Sequence, residues 1–280
     1  MKVKNNSRWL YVLVLGATLF ISMVYLFISH ERIRTKNYVF TRNIADSPKA
    51  EIISTETMPA QHGNNSKYKI LVGDKECLIK TITIDSMNSL AAMVKSDSLS
   101  NPAGIYRYDN VRNKVDMSEC LVEFDLPDQY DDTAQRLLAY DGVFFESEDI
   151  ITFNFLLFPD IYVLTKDGRL VTHLKTKDGA PAPHVVKYKK FNTLDQGNAY
   201  YTNAASFAIG EKLYVLSFLC PKQLGKYTID CYDMGTKSYE YSFYVENDTE
   251  EDNTFVREIK VAGNIVTITT VKNRTKFKIL

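Results

Sequence analysis

From "YKILVGDKECLIKTITID" (68–85) onward, short apolar runs alternate with turn residues, a pattern that predicts strands rather than long helices. One segment, "DSMNSLAAMVKS" (85–96), keeps helical spacing, with Ser86 placed to cap it. The clearest strand pattern begins at Gly142. "VFFESE", "DIITFNF", "DIYVLT" and "RLVTHLK" follow one another with turns at Ser147-Glu148, Pro159 and Asp167-Gly168. Together they predict a four-stranded antiparallel meander over 142–175.

After a loop rich in Pro, Lys and Gly (176–200), a second set follows: "NAASFAI", "KLYVLSFL", "KYTIDCYD" and "KSYEYSFYV", turning at Gly210-Glu211, Gly225 and Met234-Gly235. A third set, "FVREIKVA", "IVTITTV" and "TKFKIL", turns at Gly263-Asn264 and ends after three strands. Its open edge calls for a strand from early in the chain, "NYVF" (37–40) or "AEIIST" (50–55). Repeated four-strand meanders are how β-propeller blades read, since each buries its faces only against a neighbour. The expected fold class is all-β: a propeller-like array of four-stranded antiparallel blades, four to six in number and possible as an incomplete wheel. The spacing is wide, with second strands starting near 151, 213 and 265, whereas compact blades repeat every ~40–50 residues. A β-sandwich or a row of hairpins in one twisted sheet is the alternative.

"WLYVLVLGATLFISMVYLFI" (9–28) is an uncharged run of 20 residues, about the length an α-helix needs to cross a bilayer core of ~30 Å. It ends in Tyr25, Leu26, Phe27 and Ile28 instead of a small-x-small cleavage site, and the first Cys comes only at 77. The expectation is an uncleaved transmembrane signal-anchor. Lys2, Lys4 and Arg8 precede the run and Arg32, Arg34, Lys36 and Arg42 follow it, so the charge rule is nearly balanced. A large β-rich domain behind an N-terminal anchor favours an inside N-terminus and a domain outside the cytoplasm. The chain then divides into a tail (1–8), the anchor (9–28), a juxtamembrane tether (29–44) and a β domain (45–280).

Thirty-four basic residues balance 34 acidic ones, which gives no global field for nucleic acid. Cys77, Cys120, Cys220 and Cys231 form no metal-binding spacing. Folding the hairpin about Gln223-Leu224 sets Cys231 opposite Leu216, so buried thiols are expected, with a Cys220–Cys231 disulfide as the alternative. Of the four histidines, His30 and His62 lie outside the meanders, His173 reads as a strand-surface residue and His184 as a loop residue. The acidic runs "DLPDQYDDT" (125–133) and "ENDTEEDN" (246–253) lack the Gly and ligand spacing of a calcium loop and read as solvated loops. Alternating aromatics in "YEYSFYV" (239–245) read as cross-strand packing. No nucleophile elbow, Walker loop, dinucleotide fingerprint or zinc-protease motif occurs. No catalytic, cofactor-binding or metal residue is therefore assigned, and no residue is singled out as binding a ligand.

Three stretches, "LSNPAGIYRYDN" (99–110), "ITFNFLLFPDIYVLTKDGRLV" (151–171) and "YYTNAASFAIGEKLYVLSF" (200–218), resemble later blades of the TolB-like six-bladed β-propeller proteins of Bacteroides-type cell envelopes. The resemblance spans about residues 99–280 and rests on blade motifs, which carry packing and turn chemistry. It implies an envelope protein with no assigned reaction. The expected function is a membrane-anchored, non-catalytic module for a protein or small ligand. The alternatives are a hydrolase or lyase acting on peptides or glycans in the funnel of the wheel, with carboxylates as acid and base, and a structural scaffold of an envelope complex.

Overall fold

The structure is a computed structural model that describes residues 40–46, 49–57, 77–85, 89–97, 100–195, 199–218, 226–246 and 256–280. The apolar run 9–28 lies outside the described residues. Among those that are described, no helix is long and apolar enough to cross a membrane.

The regular elements of the described residues are all strands but for one short helix. β1 (Ala50–Thr57) comes first. Then come β2 (Leu78–Thr83), β3 (Ser89–Met93), β4 (Gly104–Asp109) and β5 (Lys114–Glu123), which form sheet I. A short helix, α1 (Thr133–Ala139), leads to sheet II: β6 (Gly142–Glu146), β7 (Ile150–Phe155), β8 (Asp160–Thr165) and β9 (Leu170–Lys175). The hairpin of β10 (Val185–Tyr188) and β11 (Phe191–Leu194) separates it from sheet III, which holds β12 (Asn203–Ile209), β13 (Lys212–Ser217), β14 (Lys226–Asp233) and β15 (Ser238–Glu246). β16 (Val256–Ala262), β17 (Ile265–Thr270) and β18 (Asn273–Ile279) complete the chain. Sheet IV is ordered β1-β18-β17-β16, so the first strand completes the last sheet. Its register pairs Ala50 with Ile279 and Thr57 with Asn273. Of the two early segments expected to fill that edge, 50–55 does so.

Period-two alternation explains the stacking of the sheets. In β7, Ile151, Phe153 and Phe155 join an apolar cluster with Leu90, Ile105 and Tyr106 of sheet I. The intervening Thr152 and Asn154 face sheet III, where Asn154 Oδ1 accepts from Ser206 Oγ at 2.7 Å. In β8 and β9, Ile161, Val163 and Leu174 meet Leu213, Val215 and Tyr232 of sheet III. On the other face of sheet III, Phe207, Tyr214 and Leu216 meet Ile259, Val266 and Phe277 of sheet IV. Three cores thus join four sheets face to face in the order I, II, III, IV, a propeller-like array. The expectation that 142–175 and 203–245 form neighbouring four-stranded sheets holds.

The β6–β7, β8–β9, β12–β13, β14–β15 and β16–β17 turns lie on one rim. Ser147 Oγ accepts from Ala208 N at 3.1 Å there, and Glu148 Oε1 accepts from Gly263 N at 2.7 Å. Gly168 adopts φ +88° at the β8–β9 turn, in the left-handed region where a side chain is strained. The longer connections, with α1 and the β10–β11 hairpin, occupy the other rim, where Thr202 Oγ1 donates to Phe158 O at 2.6 Å.

Three local expectations are corrected. The helix read over 85–96 is instead the strand Ser89–Met93, every residue of which is buried. A strand covered on both faces carries an unbroken apolar run, so Leu90-Ala91-Ala92-Met93 offered no alternation to mark it. The loop 176–200 contains a hairpin, Val185–Leu194. Cys231 pairs with Tyr214, and Leu216 pairs with Ile229. That register differs by two residues from a fold about Gln223-Leu224. A two-residue shift keeps every side chain on its face, so the apolar pattern could not distinguish the two.

Candidate functional site

Charged side chains gather at several places beyond what hydrophobic packing requires, and two of these lie between sheets. The first is buried. Residues 43–45 run beside β15, with Ile44 bridged in parallel to Ser242 and Ala45 N donating to Ser242 O at 2.9 Å. This carries Arg42 into the junction of sheets II and III, where its side chain is 5% exposed. Arg42 Nε donates to Asp230 Oδ1 at 2.9 Å and Nη2 to Asp178 Oδ2 at 2.8 Å. Ser217 Oγ donates to Asp178 Oδ2 at 2.9 Å, and Ser242 Oγ to Asp230 Oδ1 at 2.5 Å. Phe40 lies under the guanidinium at 4.4 Å and meets Tyr239 edge-on. Burial raises the Asp178 carboxyl above its ordinary value, partly offset by the Arg42 charge. This cluster binds the chain's own N-terminal segment to two sheets.

The second place is open to solvent. β6 and β16 are edge strands of sheets II and IV, and a groove of about 540 Å³ lies between them on the tight-turn rim. Phe144 and Phe145 line one wall with Glu146 and Glu148, while Arg257, Glu258 and Lys260 line the other. Lys166, from the β8–β9 turn, reaches Glu146 at 2.7 Å, and Lys260 reaches Glu258 at 3.0 Å. The Gly263–Glu148 hydrogen bond holds the two turns together at the end of the groove. Close packing positions β6. At Gly142 an added Cβ would lie 2.5 Å from Phe153 Cζ and 2.8 Å from Asn154 O, so the strand can lie on β7 only with glycine there.

The residues weighed from sequence fall elsewhere. His173 stacks on Tyr162 at 4.2 Å and its Nε2 lies 2.6 Å from Asp160 Oδ1. It is a half-buried cross-strand partner, more engaged than a plain surface residue. His184 Nδ1 is 3.9 Å from Asp195 Oδ2, on an exposed loop. His30, His62 and Cys220 lie outside the described residues. Cys231 is a buried thiol pushed up to about 11 by desolvation. The acids of 125–133 take separate tasks: Asp132 caps α1 through Gln135 N at 2.8 Å, and Asp128 faces Lys95 at 3.5 Å. Of the run 246–253 only Glu246 is described, 3.4 Å from Lys226. No group of three or more metal-ligating side chains occurs among the described residues. The aromatics of 239–245 pack, with Phe243 on Tyr214 and Tyr239 on Tyr232.

Sequence reasoning did not find Arg42, Asp178 or Asp230 as a unit, because their spacing in the chain is long. The groove residues were hidden for a related reason: Glu146 and Arg257 meet only when sheets II and IV come together. Their one sequence signal was three charges on one strand, Arg257, Glu258 and Lys260.

No family model and no curated protein matches the chain. Similar solved structures include a member of the DUF4221 family from Bacteroides vulgatus, at 7% identity and a TM-score of 0.30, with 79% of this chain and 58% of that one covered. Hsv2 from Kluyveromyces marxianus matches at 12% identity and a TM-score of 0.29, covering 69% and 57%. The dihydro-heme d1 dehydrogenase NirN, solved with DHE, matches at 9% identity and a TM-score of 0.28, covering 68% and 32%. The chain spans about a third to three fifths of the length of these structures. Likeness at this level carries no functional argument, and nothing in it is specific to TolB-like proteins. The propeller-like reading stands on the four stacked sheets themselves.

Proposed function

We propose that the chain is a membrane-anchored, non-catalytic binding module of the cell envelope, its domain outside the cytoplasm and its working surface the β6–β16 groove. The observation that carries this reading is two edge strands facing each other across a groove lined by both signs of charge. Edge strands offer unpaired backbone N–H and C=O groups, and an extended peptide or a flat polar ligand satisfies them by adding along the edge. Phe144 supplies apolar area, while Arg257 and the Glu–Lys pairs set charge preference at the rim. A protein segment of mixed charge fits best, and nucleic acid fits poorly because the acids match the bases.

Co-purification from source membranes tests this. Wild-type chain is compared with Arg257→Glu/Lys260→Glu, and with Arg112→Glu on the β4–β5 turn as control. A partner retained by wild type and control but lost from the groove variant supports the reading. Equal recovery by all three contradicts it.

A further inference from the structure

The β10–β11 hairpin is rooted in the core and bare at its tip. Val185 and Leu194, at its base, pack against the cluster of sheets I and II. At the tip, Tyr188 is 64% and Phe191 is 74% exposed. Between them Lys189 takes φ +56°, a left-handed conformation that usually falls to Gly or Asn. From Val185 to Leu194 the hairpin carries Lys187, Lys189 and Lys190 and no acid. Lys189 Nζ lies 5.4 Å over the Tyr188 ring, so aromatic and ammonium groups share one amphipathic tip.

We infer that this tip dips into the headgroup region of an anionic bilayer. Tyr and Phe suit the boundary between headgroup and acyl chain, with lysine stems lying along the apolar layer and ammonium groups among the phosphates. The tip is convex and two residues wide, which suits a bilayer better than a protein, whose interfaces need a broad matching face. Chain length adds a second argument, which rests on the proposed anchorage at 9–28. Eleven residues separate Ile28 from Phe40, at most ~40 Å of extended chain. A domain held that close meets the bilayer at high effective concentration, so one weak contact is enough to orient it.

The full chain in nanodiscs provides the test, with Phe191→benzoylphenylalanine as photo-crosslinker and Val111→benzoylphenylalanine, exposed on the opposite rim, as control. A phospholipid adduct at 191 and none at 111, stronger when phosphatidylglycerol accompanies phosphatidylcholine, is the expected result. Lys187→Glu/Lys190→Glu should lower the yield roughly tenfold or more while the melting temperature holds. An adduct to protein at 191, or no lipid adduct from chain that has entered the disc, overturns the inference and leaves the anchorage standing. Chain that stays outside the disc overturns the anchorage and this contact together.

Discussion

Arg42 is the residue on which most depends. Its guanidinium neutralises two carboxylates, Asp178 and Asp230, whose side chains are each 1% exposed. Removing one partner from a buried pair leaves an uncompensated charge, at a cost of about 3–5 kcal/mol. Arg42→Ala should therefore lower the melting temperature by about 10 °C or more at neutral pH, measured by circular dichroism. The pH dependence has a definite sign. Burial raises the Asp178 pKa, so its contribution to stability is complete below the ordinary carboxylate value and falls as pH rises through the folded value. The gap between Arg42→Ala and wild type should thus narrow in acid, where protonated Asp178 needs no cation. A gap that is constant or widens in acid would show that Arg42 does not act through these carboxylates. Gly142 gives a second, independent check: Ala there meets Phe153 and Asn154, and should cost about 1–3 kcal/mol by denaturant unfolding. Neither residue stood out in the sequence. Arg42 was one of several basic residues after an apolar run, and a glycine's role depends on what packs above it.

At the scale of elements, strands with clean turn punctuation were legible and strands without it were not. Sheets II and III follow the sequence pattern because Asp167-Gly168, Gly210-Glu211 and Met234-Gly235 mark their turns, and β1 was legible as the missing partner of a three-stranded unit. β3 was misread because its apolar run is continuous, and β10 and β11 were missed because they are four residues each and none of their residues is fully buried. α1 was hidden in an acidic run, although Asp132 three residues before Gln135 is a helix-start signal. Excising residues 40–57 removes both the Arg42 contacts and β1, leaving the edge of β18 unpaired. The shortened chain should melt well below wild type by differential scanning calorimetry; melting at the wild-type temperature would mean that sheet IV stands without its first strand.

For the whole molecule, four stacked sheets give a rigid frame, and the two features proposed to act sit on opposite rims: the β6–β16 groove among the tight turns and the β10–β11 hairpin among the long connections. The candidate site was illegible in sequence because it belongs to no single meander and arises where sheets II and IV converge. The closure of sheet IV depends on the N-terminal segment being part of the folded domain, which ties that segment to sheets III and IV. Amide hydrogen exchange on the full chain, read by mass spectrometry, tests that dependence. Peptides covering Ala50–Thr57 should exchange as slowly as those covering β17 and β18, and should lose that protection in Arg42→Ala. Exchange of 50–57 at the rate of an open loop, with β18 still protected, would contradict it.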